Sequence, residues 1–125
     1  MVVRDRGTLA AIAEASPNTR HVAGAAAAIV IVMAGEAPGI ESFDEARAAE
    51  RMLVAATALG LATAIGWVMP QASEQVKSLL GVPQERALRT LASLGHPTEA
   101  GAQPQFAPGT SRRPLEEIVR YVVFG

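Results

Sequence analysis

Apolar and polar positions along the chain alternate between the period of a strand and the period of a helix. Val2 and Val3 lead through a charged turn into "GTLAAIAEA", where Leu9, Ile12 and Ala13 share one helical face and Thr8 stands as the cap. "SPNTRH", residues 16–21, breaks that pattern with a proline and turn-forming residues. The next apolar run ends in Ile29, Val30, Ile31 and Val32 and closes at Gly35, which predicts a strand buried on both faces.

The best-marked element is a helix over 43–59. Ser42 and Glu45 spell a capping box, Asp44 and Glu45 suit the positive end of the helix dipole, and Gly60 stands where a helix end favours left-handed backbone. From Met52 the helix turns fully apolar, so its second half is expected to be buried all round. After Gly60, "LATAIGWVM" predicts a strand that stops at Pro70. "ASEQVKSLLGVP" then predicts a helix capped at Ser73 and stopped by Gly81 and Pro83.

Residues 85–97 fit two states. Leu88, Leu91 and Ala92 recur at helical spacing, while Leu88, Thr90, Ala92 and Leu94 alternate as in a strand. Residues 98–111 read as an extended surface loop, rich in proline and glycine. Pro114 opens a short helix with Glu116 and Glu117 in its first turn, and "YVVF" is able to finish as a strand.

Composition bears on the apolar middle of the chain. Residues 52–69 carry no charge and reach the length of a bilayer span. Alanine, glycine and threonine dominate there, and these contribute little to insertion, so a small membrane protein is the weaker reading. Two pieces of buried core meeting at Gly60 is the stronger one. The 125 residues suit one domain, residues 1–125, large enough for a core of its own.

A formal net charge of -1 with interleaved signs supplies no field to gather nucleic acid or an anionic membrane. The absence of cysteine removes disulfides and thiolate chemistry. Arg4, Asp5 and Arg6 occupy the place of a secretory apolar run, which makes a cytoplasmic location the expectation. His21 and His96 stand at no metal-ligand spacing, so no metal site is expected. No glycine-rich dinucleotide loop, Walker lysine or serine-nucleophile elbow occurs. Arg112 and Arg113, just before Pro114, are either a phosphate site at a helix start or a solvated basic pair.

Four segments then fall in a recognisable order: "FDEARAAERMLVAATALGLATAIGW", "VKSLLGVP", "LASLGHP" and "SRRPLEEIV". Together they resemble the C-terminal part of the nitroreductase-like flavoproteins, and "VVRDRGTLAAIAEA" is similar to the strand and helix that follow that family's flavin-binding motif. The resemblance implies an α+β fold, a central sheet sandwiched by helices, and an intertwined homodimer paired through the 43–59 helix. It also implies FMN at the dimer interface, NAD(P)H as electron donor, and a small organic acceptor, with no side chain needed as a catalytic acid or base. By position, Arg112 matches the family's phosphate-binding arginine with Arg113 beside it, and Ile65, Gly66 and Trp67 match the segment whose backbone lies over the flavin ring.

The family's R-x-S and S-x-x-N-x-Q motifs are missing, so the fold is expected in a form truncated at the N-terminus. Ala46 replaces the usual glycine of the dimer helix and His96 the common tyrosine. A non-catalytic dimerising domain that has lost its flavin is the alternative reading.

Overall fold

A computed structural model of the chain describes residues 1–102 and 113–121. The β-branched run and the ambiguous 85–97 segment become neighbouring strands at the centre of one sheet. Strands β1 (Val2–Val3), β2 (Ala27–Met33), β3 (Ala62–Trp67) and β4 (Ala87–Gly95) lie in the order β1-β2-β4-β3, with every pair antiparallel. Helix α1 (Arg6–Ala15), the 3-10 helix Pro17–Gly24 and α3 (Ser73–Leu80) close the main core over one face. Helix α2 (Pro38–Ala58) packs along β2, β3 and β4 outside that core, which gives the expected sandwich.

The ambiguity over 85–97 has a physical origin. Leu88, Leu91 and Ala92 are all buried, as their helical spacing requires, yet they lie in strand β4. Val30 pairs with Leu91 and Val32 with Leu88, so one more residue fits on β4 than on β2 between the two pairs. This bulge breaks the two-residue period and lets Leu88 and Leu91, three apart, enter the same core.

Local signals placed several helix ends one step away from where they form. Asp5, not Thr8, caps α1: its Oδ2 accepts the Thr8 amide and the Thr8 hydroxyl, both at 2.8 Å. "SPNTRH" does not simply break the chain; it winds on as the 3-10 helix, buried through Thr19 and Val22. Ser73 is the first residue of α3 rather than its cap, because the 3-10 turn Pro70–Ala72 runs directly into the helix.

Helix α2 begins at Pro38, five residues before the expected start at 43. A proline fits the first turn, where its missing N–H would have no partner. Glu41 reaches back so that Oε1 accepts the amides of Gly35, Glu36 and Ala37 at 2.7, 2.9 and 3.3 Å. The Ser42–Glu45 capping box does not form. Ser42 donates instead to the Pro38 carbonyl at 2.7 Å, inside the helix, and Glu45 turns inward.

The second half of α2 is not buried all round within the chain. Ala56 faces the sheet, but Val54 and Leu59 are 61% and 76% exposed because no other element of the described residues covers that side. Gly60 (φ 72°) and Gly81 (φ 63°) end α2 and α3 in the left-handed backbone their positions predicted. No helix among the described residues is long and apolar enough to cross a membrane, and the uncharged stretch divides at Gly60 between α2 and β3. Helix α4 (Leu115–Ile118) follows Pro114 as a single exposed turn. Most of the expected 98–111 loop and of "YVVF" lies outside the described residues.

Two substitutions probe this frame by urea unfolding. Leu91→Ala empties a fully buried position of the central strand and is expected to cost about 2–5 kcal/mol. Gly35 has φ 90°, and a Cβ there would overlap the Glu85 carbonyl oxygen. Gly35→Ala is expected to cost roughly 2 kcal/mol or more, and a loss under about 0.5 kcal/mol would show that the turn yields.

Candidate functional site

Strand β3 lies at the sheet edge, with Ile65, Gly66 and Trp67 opposite Ala92, Leu91 and Thr90. The Val68 amide donates to the Arg89 carbonyl at 2.7 Å, which sets the alternation of the ladder. Gly66 therefore exchanges its hydrogen bonds with Leu91, while Ile65 and Trp67 turn their N–H and C=O groups toward the open edge. At the far end Ser16 closes that edge: its hydroxyl donates to the Trp67 carbonyl at 3.3 Å and accepts the Met69 amide at 3.2 Å. Of the three residues matched to the flavin-facing segment, Ile65 and Trp67 present free amides, and the amide of Gly66 belongs to the sheet.

Gly66 has a packing reason of its own. A Cβ at that position would stand 2.8 Å from Leu91 Cδ1 and 3.2 Å from both His21 Cε1 and Thr19 Cγ2. The glycine lets the 3-10 helix Pro17–Gly24 lie close against β3, which is also where His21 goes.

A charged cluster that sequence reasoning missed joins α2 to the sheet. Arg89 of β4 donates from Nε to Glu45 Oε2 at 2.9 Å, and its Nη2 lies 3.8 Å from Glu41 Oε2. Both glutamates are buried, one turn apart on the face of α2 that also carries Ala49 and Ala56. The bulge beside Arg89 is what allows this arginine to leave the α1/α3 core and meet α2. Glu41 and Glu45 share the 3.6-period face of the small residues, and that was the available signal: an acidic pair on a buried face requires a cation opposite it. Burial pushes the Glu41 carboxyl up, but the amides of Ala37, Glu36 and Gly35, together with the Arg89 guanidinium, outweigh burial and hold it below the ordinary carboxylate range.

Of the two expected phosphate arginines, Arg113 is the one within the described residues. Arg112 lies outside the described residues. Arg113 is exposed just before α4, and among the described residues no hydrogen bond or ion pair joins it to β3. Glu116 and Glu117 fill the first turn of α4, which weakens that turn as an anion seat. No group of three potential metal ligands exists among the described residues. The geometry is that of a binding surface: free edge amides, an exposed indole at Trp67 and cationic walls nearby, with no hydrogen-bonded nucleophile and base among the described residues that line it.

No protein-family model and no curated protein matches the sequence. Solved structures do. The chain is similar to an FMN-dependent nitroreductase from Clostridium difficile, at TM-score 0.81 and 21% identity over 99% of this chain and 74% of that one. A nitroreductase A from Vibrio parahaemolyticus matches at TM-score 0.76 and 24% identity over 100% of this chain and 57% of that one. The NADPH:FMN oxidoreductase of Vibrio harveyi, complexed with NAD+, matches at TM-score 0.74 and 23% identity over 100% and 58%. The fold of this chain is nitroreductase-like.

The α2–β4 cluster has two expected signatures. Arg89→Met leaves Glu45 buried and unpaired and should cost about 3 kcal/mol in urea unfolding, whereas adding Glu45→Leu should recover at least half of that loss. Because the folded Glu41 carboxyl titrates below its unfolded value, it contributes stability at neutral pH that disappears as pH falls through the carboxylate range, about pH 5 to 3. Melting temperature followed over that range should fall less steeply in Glu41→Gln than in the parent chain.

Proposed function

We propose that this nitroreductase-like chain is an FMN-dependent NAD(P)H oxidoreductase that passes hydride to a small organic acceptor and works as a homodimer. The observation that carries this reading is the match of nearly the whole chain to an FMN-dependent nitroreductase structure. The residues fit the group at the edge of β3: Ile65 and Trp67 hold unspent backbone donors there, suited to the acceptor atoms of a flavin ring. Arg112 and Arg113 would hold the phosphate through forked, charge-assisted bonds. Flavin, when bound, supplies the hydride chemistry. The chain's own part is to position the ring and its phosphate and to exclude water.

The outer face of α2 supports pairing with a second copy. Phe43 and Val54 are exposed there, three turns apart on one side of the helix, and large apolar side chains on one helix face mark a contact surface. The 43–59 stretch of α2 is therefore the proposed dimer seam.

The test is the visible absorption of the purified chain before and after addition of FMN and desalting. A retained flavin band supports the reading, and Arg112→Ala should then weaken retention about tenfold or more. A chain that stays colourless while sedimenting as a dimer would replace it with the alternative, a dimerising domain without flavin. Val54→Glu should shift the sedimenting species from dimer toward monomer, because it sets a charge in the seam.

A further inference from the structure

Trp67 stands between two clefts that share Arg89 in their walls. The larger has a volume of about 400 Å³ and lies among the Gly35 turn, the start of α3 and the segment that enters β4. Three cations line it, Lys77, Arg86 and Arg89, with Glu85 as the one carboxylate on the wall. Trp67, 56% exposed, is the aromatic residue on its wall.

Lys77 is the unusual member. It is only 8% exposed, and no carboxylate among the described residues lies within 4.0 Å of its ammonium. Two of its three N–H donors go to the carbonyls of Gln84 and Arg86, at 2.7 and 3.2 Å. Carbonyl dipoles hold an ammonium without neutralising it, and lysines are rarely buried this deeply without an anion. Arg89 is already matched by Glu45. The charge left on the wall is then Lys77 and Arg86 against Glu85, a balance that suits a monoanion better than a doubly charged phosphate.

We propose that this cleft binds a planar aromatic carboxylate, with its ring against the Trp67 indole and its carboxylate between Lys77 and Arg86. Stacking on an exposed indole selects a flat ring, and charge-assisted bonds to the two cations select the acid. The volume falls in the range of small-molecule sites. Binding here requires no flavin, so it stands or falls separately from the oxidoreductase reading.

Trp67 is the only tryptophan of the chain, so its fluorescence reports on the cleft directly. The full chain is titrated with 4-nitrobenzoate and, as an uncharged match, with 4-nitrobenzyl alcohol, each corrected for ligand absorbance. Saturable quenching by the acid, about tenfold tighter than by the alcohol, is the expected result. Arg86→Gln changes an exposed side chain and should weaken the acid several-fold with melting temperature unchanged. Lys77→Met should abolish saturation; if that variant fails to fold, Arg86→Gln still decides. Equal, non-saturating quenching by both compounds, or Arg86→Gln binding the acid as tightly as the parent, would overturn the proposal. So would inorganic phosphate displacing the acid at lower concentration than the acid itself requires.

Discussion

One extra residue in β4 sets both sides of the sheet. Between the Val30–Leu91 and Val32–Leu88 pairs the central strand carries one residue more than its neighbour. Leu88 and Leu91 consequently both reach the core formed with α1, α3 and the 3-10 helix, and each fully buried leucine contributes on the order of 2 kcal/mol. Arg89, between them, is released to the side of α2, where it meets Glu45. Without the bulge, an alternating strand that buried Leu91 would turn Leu88 away from the core and Arg89 into it.

That arginine explains the placement of α2. Apart from the two glutamates, α2 fully buries only Ala49 and Ala56, with Met52 and Leu53 half-buried in its second half, so the position of its first half depends strongly on the ionic contact beneath it. Removing a charge from water is costly unless it is paired, and Arg89 with Glu45 meets that condition. Glu41 extends the link: one oxygen collects three amides from the Gly35–Ala37 turn while the other faces Arg89. The start of the helix, the turn before it and the central strand are thereby one electrostatic unit.

The edge strand carries what is available for binding. In β3 the ladder uses Gly66 and frees Ile65 and Trp67, and the missing side chain of Gly66 brings the 3-10 helix close enough for Ser16 to close one end of the edge. The exposed Trp67 indole then stands beside the cationic cleft instead of entering the core. Free amides, an aromatic surface and guanidinium and ammonium groups hold and orient a ligand. They agree with a nitroreductase-like scaffold, in which positioning rather than side-chain acid–base chemistry is the proposed contribution of the protein.

Element types were largely legible in the sequence, because β-branched runs, glycine stops and helical periods act locally. Ile29–Val32 became the core of β2, Gly60 and Gly81 ended α2 and α3, and the order of short motifs pointed to the nitroreductase-like fold. Helix starts were less legible: Ser42–Glu45 satisfies the capping pattern, yet Pro38 and Glu41 win because three amides and a half-buried arginine reward the longer helix. The state of 85–97 was undecidable from the sequence, since a bulged strand and a helix both bury residues three and four apart. By itself, then, the sequence determined which segments are helix, strand or turn wherever a local signal stood alone. Only the tertiary structure decided which face each side chain of β4 takes, because the parity of β4 depends on its pairing with β2, and no residue of β4 carries that pairing within itself.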